Sequence, residues 1–301
     1  MAILLAAAAA LPPGPLDFKA QSMRIEPKER RVVLDGEVHL NRGDLIVTGD
    51  HAVAEYAQPK AKAPPRKRGR KCASEQAFAG QAVEKFVVDG KVHVQRGTRT
   101  ADGEHGVVDV PAQTLVLTGT PESAPVLRDG SETLSGERIL LRLDSEDVDV
   151  KEPRLTLRRS LAEQGPAAPV APVRVEADHL VLVKASRLAR FTDSVVVRRG
   201  DAVVKSPRMD ARYDGEGQLT RLELRGGVDV RQGDRRATGQ TADYDARQRT
   251  LVLLGDPRLY DKGDVLAGDR IALSLDSKEV RVEKAKGRLR PEAHRAEGAA
   301  P

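Results

Sequence analysis

Residues 35–53, DGEVHLNRGDLIVTGDHAV, align without a gap on residues 89–107, DGKVHVQRGTRTADGEHGV. Each segment places apolar side chains at every second position, breaks at an Arg-Gly or Arg-Gly-Asp step, and returns in a second short run. The unit recurs as SVVVRRGDAVV from Ser194 and as GVDVRQGDRRATG from Gly227. A strand, a tight turn and a returning strand are therefore written four times. On a longer scale, TLVLTGTP from Thr114 matches TLVLLGDP from Thr250, and GERILLRLDSEDVDV from Gly136 matches GDRIALSLDSKEVRV from Gly268. The chain thus reads as a signal-like apolar segment (1–15), a first β module (16–159) with a basic insertion at 57–77, a Pro/Ala linker (160–172), a second β module (173–288) and a tail (289–301). Period-two patterning with Gly-containing turns every ~8–12 residues predicts an all-β fold of two tandem antiparallel modules. The one helix candidate, residues 74–86, is interrupted by Gly80, and its VEKFVVDG end reads better as strand.

Composition narrows the chemistry. The 301 residues are 40% hydrophobic, enough for a core, while no apolar run approaches the roughly 20 residues of a membrane-spanning helix. A single cysteine, Cys72, excludes an intrachain disulfide framework and a cysteine zinc cluster. With 3% aromatic residues and no Trp, the sequence lacks the stacking platforms of sugar and single-stranded nucleic-acid sites. The formal charge of +5 is local: KAKAPPRKRGRK, residues 60–71, holds seven cations and no acid, and without it the net is −2. Arg66, Lys67, Arg68, Arg70 and Lys71 of this insertion are the candidate contacts to an anionic partner, lipid or phosphate rather than nucleic acid; a plain solvated loop explains them as well. Deleting residues 60–71 is expected to leave the melting temperature unchanged and to weaken binding to anionic vesicles mainly at low salt, where screening is least. Unfolding of the first module on deletion would contradict the loop reading.

Alternation assigns the inward faces. In the first module the inward set includes Val92, Val94, Leu115, Leu117, Ile139 and Leu141; in the second it includes Leu222, Leu224, Val228, Val230, Leu251, Leu253, Ile271 and Leu273. Val252 and Leu254 fall on the opposite face. A closed core explains such a pattern. An interior of Leu and Val, nearly free of aromatics and polar groups, also suits an acyl chain where it is open.

No catalytic constellation is written. His39 and His93 sit between inward residues and so point outward, His51 and His105 repeat at the spacing of the 35–53 and 89–107 copies, and the second module has Asp229 in the place of His93. No metal is expected. The acidic run Asp144, Glu146, Asp147 and Asp149 lacks the loop spacing of a calcium site. Ser194 and Ser206 lack a Gly-x-Ser-x-Gly setting, and the Gly-rich turns do not open helices, so neither a nucleophile nor a nucleotide-phosphate loop is predicted. The expected protein is not an enzyme and needs no cofactor.

Residues 226–287, GGVDVRQGDRRATGQTADYDARQRTLVLLGDPRLYDKGDVLAGDRIALSLDSKEVRVEKAKG, resemble the OstA-like (LptA) family of periplasmic lipopolysaccharide-transport proteins. The marks are the Gly-Val strand, the Ala-Asp turn into Tyr244, LxLxGxP at Leu251 to Pro257 and LxGDRIxL at Leu266 to Leu273, with weaker versions in the first module. The resemblance implies twisted, open-ended antiparallel β-jelly rolls that hold lipid A acyl chains in an apolar interior and stack through edge strands on similar proteins. It implies lipopolysaccharide or a related acyl lipid and other jelly-roll proteins as partners, leaves self-association open, and places the protein in the periplasm, in keeping with the apolar segment of residues 3–11. The chain departs from the usual single module by carrying two. A structural β-scaffold that assembles by its edges without lipid is the alternative.

Overall fold

The four repeats form four long hairpins, β3 (Arg31–Arg42) with β4 (Leu45–Tyr56), β5 (Val83–Arg96) with β6 (Arg99–Asp109), β15 (Leu188–Arg199) with β16 (Ala202–Tyr213), and β17 (Leu219–Gln232) with β18 (Arg235–Asp245). Each is closed by a two-residue Gly-x loop, Gly43, Gly97, Gly200 and Gly233 standing at positive φ, the first position that tight hairpin turns of the II′ class ask of glycine. The computed structural model describes residues 16–57, 83–158, 171–274 and 279–288. The signal-like segment, the basic insertion with Arg66, Lys67, Arg68, Arg70, Lys71 and Cys72, most of the linker, Leu275 and the tail lie outside the described residues. Of the helix candidate, residues 83–86 belong to β5. All described elements are β-strands, and every pairing between them is antiparallel.

Two compact units emerge, one of residues 16–130 with Ser135–Val150, the other of Ser131–Leu134 with 151–288. In the first, β1 (Asp17–Lys19) and β2 (Ser22–Glu26) pair with the two halves of β3, and the sheet runs on through β4, β5 and β6 to β7 (Thr114–Thr118) and β10 (Arg138–Arg142). The second repeats this plan with β13 (Val173–Glu176), β14 (His179–Val183), the two hairpins, β19 (Thr250–Leu254) and β22 (Arg270–Ser274). Strand β12 (Arg154–Leu157), which the repeat assigns to the first copy, hydrogen-bonds to β13 and clusters with the second unit.

A bulge recurs in the first strand of every hairpin. Register slips after Asp35, Asp89, Thr192 and Arg225, and at each slip two successive residues are left-handed: Gly36 and Glu37, Gly90 and Lys91, Asp193 and Ser194, Gly226 and Gly227. The residue that follows, Val38, Val92, Val195 or Val228, is buried opposite Gly49, Gly103, Ser206 or Gly239. A side chain at Gly49 would strike Val88 Cγ1 at 2.5 Å, so the small residue is what lets the bent wall close on its neighbour.

The inward faces build the cores. Val92, Val94, Leu115 and Leu117 cluster with Leu34, Val38, Leu40, Ala52, Val88, Ala101 and Leu143, and Leu141 packs against them half-buried; Ile139 is sealed as well. The expectation of an interior free of polar groups needs one correction: Glu132 on β9 (Glu132–Ser135) and Asp264 on β21 (Asp264–Ala267), matching positions of the two copies, are buried. Burial pushes the Tyr213 hydroxyl pKa far above its usual range, and the nearby Glu132 carboxylate adds to the shift.

On the outer wall of the second unit, Asp210, Glu223 and Asp243 stand opposite one another on β16, β17 and β18. Such a row of like charges is unfavourable alone. It is held by Arg190 and Arg208 on Asp210 (both 3.0 Å), by Arg212, Arg221 and Arg225 on Glu223, and by Arg221 on Asp243. Burial pushes the Asp210 pKa up, and the two arginine hydrogen bonds outweigh it, so the carboxyl ends below its ordinary value. A lowered folded pKa stabilises above the unfolded value and ceases to do so as pH falls through the folded one. Asp210→Asn is therefore expected to cost about 1–2 kcal/mol at neutral pH, the arginines being partly solvated, and progressively less below about pH 4. Thermal unfolding of both chains across pH measures it.

Candidate functional site

Strand β18 serves two partners in succession. Its start, Arg236 to Thr238, pairs with β20 (Arg258–Asp261), and its end, Thr241 to Asp245, pairs with β19. The change of partner at Gly239 and Gln240 splays two walls apart. One carries the cross-strand row Val230, Ala237 and Leu259; the other carries Leu251, Leu273 and Val280, the last on β23 (Val280–Glu283). Between them opens a cavity of about 640 Å³ lined by these six side chains and by Ala171, Arg199, Gly200, Asp201, Ala202, Gln232, Arg235, Arg249, Ser274 and Glu279. The throat is aliphatic and the mouth is charged. Arg199 and Asp201 come from the β15–β16 turn, Gln232 and Arg235 from the β17–β18 turn, and Arg235 Nε donates to Asp261 at 2.7 Å.

The predicted inward residues of the second unit therefore divide. Val230, Leu251 and Leu273 line the cavity, whereas Leu224, Val228, Leu253 and Ile271 are sealed and Leu222 is half-buried beside Ala211 and Tyr244. Leu253, expected on the groove wall, has no exposed surface. Its cross-strand neighbours Ala242 and Ile271 are equally enclosed, because the walls meet there. Val252 and Leu254 lie on the opposite face as expected, Leu254 partly exposed.

The histidines of the first unit form a pattern that alternation did not reveal. Across β3, β4, β5 and β6 the row reads Asp35, His51, Asp89, His105. His51 Nδ1 lies 2.6 Å from Asp35 and His105 Nδ1 2.5 Å from Asp89, and on a second row His93 Nδ1 lies 2.6 Å from Asp102. The His51 hydrogen bond is the main reason that the Asp35 carboxyl sits below its ordinary pKa. The aspartates at register distance were the available signal. Among the described residues no group of three or more His, Cys, Asp or Glu side chains is placed to hold a metal ion.

Sequence and structure comparisons agree with this architecture. A family described as LptA/(LptD N-terminal domain) LPS transport protein matches residues 17–147 and 174–279, most of the chain and both copies of the repeat. An uncharacterized protein of Rhizobium meliloti (strain 1021) is 24% identical over 127 residues, 39% of this chain and 68% of that protein. The LPS-assembly protein LptD of Pseudomonas savastanoi pv. phaseolicola is 36% identical over 90 residues, 27% of this chain, and LptD of Pseudomonas syringae pv. tomato matches equally; the match spans only 10% of either protein. The crystal structure of LptH from Pseudomonas aeruginosa, the LptA homologous periplasmic component of its lipopolysaccharide transport device, aligns at 18% identity and a TM-score of 0.37 over 40% of this chain and 96% of that one. The chain, with its two copies of the jelly-roll repeat, belongs to the LptA/LptD N-terminal family of lipopolysaccharide transport proteins.

Proposed function

We propose that the protein is a non-enzymatic lipid carrier of the periplasm, holding lipopolysaccharide by its acyl chains and bridging it toward the outer membrane. The observation that carries this reading is the cavity of the second unit. Six aliphatic side chains and no carboxylate, imidazole or thiol form its throat, and arginines stand at the mouth where an anionic head group would remain. Each methylene moved from water into such a throat gains about 0.8 kcal/mol, so part of one acyl chain suffices for useful affinity. In the first unit, Val92, Val94, Leu115, Leu117, Ile139 and Leu141 are the corresponding inward residues. The cations Arg66, Lys67, Arg68, Arg70 and Lys71 add contact to anionic lipid.

Passing the lipid on requires neighbours, and the ends of the chain support docking through edge strands. Strand β1, the first half of β2 and β24 (Lys286–Arg288) are exposed along their length, whereas β13 and β14, the counterparts of β1 and β2, bury their apolar side chains. Organic extracts of protein purified from a lipopolysaccharide-producing host, read by mass spectrometry, are expected to contain lipopolysaccharide. Lipid-free protein would favour the edge-assembling scaffold.

A further inference from the structure

The second unit shows how a jelly-roll edge is covered. Strand β12 pairs with β13 so that Arg154 stands opposite Glu176, Leu155 opposite Val175 and Thr156 opposite Arg174. Leu155 and Val175 are 2% and 4% exposed, and Leu180 on the next strand is fully enclosed. The repeat carries this edge onto the first unit. Phe18 faces Leu40 of β3 as Val175 faces Val197 of β15, and Met23 faces Leu34 as Leu180 faces Phe191. There the cover is missing: Phe18 is 48% and Met23 50% exposed.

The same repeat names the chain's own candidate cover. Aligning KEPRLTL, from Lys151, with EKAKGRL, from Glu283, makes β24 the counterpart of β12, with Lys286 for Arg154, Gly287 for Leu155 and Arg288 for Thr156. In the β12–β13 register, Lys286 of one copy falls opposite Lys19 of the next, where the second unit has an Arg–Glu pair. Gly287 falls opposite Phe18, where the second unit has two enclosed aliphatic side chains. Gly287 is fixed by its own neighbours, since a Cβ there would lie 2.8 Å from the Val265 carbonyl oxygen and 2.9 Å from Leu266 Cδ2. Like charges set opposite and a missing apolar partner both weaken a strand pair.

We propose that the β1–β2 edge docks a strand of a different chain, one with an acid opposite Lys19 and a branched aliphatic side chain opposite Phe18, and that Lys286 and Gly287 keep the protein's own last strand from that place. This rests on reading the chain ends as docking edges; lipid carriage is tested separately in the cavity and does not depend on it.

Sedimentation of the full chain over a concentration series at low salt tests the selectivity. Lys19→Glu and Lys286→Glu, each made alone, set opposite charges face to face and are expected to tighten self-association about three-fold; the double variant restores the like-charge clash and the wild-type behaviour. Grafting PRLTL of residues 153–157 over residues 285–289 together with Lys19→Glu rebuilds the whole pair, with self-association tightened at least about ten-fold. A photo-crosslinker at Phe18 should then join residues 286–288 of a second copy in the grafted chain and not in the wild type. The charge cycle leaves Gly287 untouched and so decides the question where the graft fails to fold. Tight wild-type chains cross-linked from Phe18 to Gly287, a cross-link from Phe18 to the chain's own residues 3–11, or charge reversals that show no compensation would each overturn the proposal.

Discussion

Leu253→Ala is expected to lower the stability of the second unit by about 2–5 kcal/mol, while Val252→Ala, one residue along β19, costs under about 1 kcal/mol. Leu253 is enclosed between Ala242 and Ile271, so the truncation loses both the transfer free energy and the contacts around the hole it leaves. Val252 lies on the outer face beside Asp243 and Ala272, where water takes the place of the lost methyls. Hydrogen exchange of the β18, β19 and β22 amides would resolve the difference by unit. Equal costs at the two positions would mean that the walls of the jelly roll do not meet at Leu253.

Leu273→Glu is expected to do the reverse. Leu273 is half-buried on the cavity wall, between Leu251 and Val280, with an open mouth through which a carboxylate can stay hydrated. The stability cost is therefore about 1–2 kcal/mol, well short of that of a sealed charge. Acyl-lipid affinity should fall more than about ten-fold, because excluding even two methylenes from the throat forfeits roughly 1.6 kcal/mol. Val252→Glu, on the far side of the wall, should leave binding unchanged. Titration with a fluorescent acyl lipid, paired with thermal melts of each variant, separates loss of binding from loss of fold.

The hairpins were legible in the sequence because the repeat preserves what a hairpin needs, a period-two run and a Gly-led turn at Gly43, Gly97, Gly200 and Gly233. The bulges were not, and the reason is geometric. The extra residue sits in the strand whose inward residues keep even spacing, as Leu34, Val38 and Leu40 do in β3. Alternation reads straight through it. The phase change falls on the partner strand, where Ala52 and Gly49 are three apart and both buried, and no pattern of period two exposes that. Which inward residues are sealed and which line the cavity was likewise hidden. Leu251 and Leu253 are chemically alike on one strand, and only the divergence of β19 and β20 from β18 distinguishes them. The aspartates that hold His51, His93 and His105 are each on an adjacent strand, so they are visible only once the register is known.

The same distinction gives the most direct test of lipid carriage. A photo-crosslinking amino acid is placed at Leu273, on the cavity wall, and separately at Val252, on the outer face of the neighbouring strand, in protein made by a lipopolysaccharide-producing host. After irradiation, the account predicts a lipopolysaccharide adduct at position 273 and none at 252. Adducts at both positions, or at neither in folded protein, would contradict it.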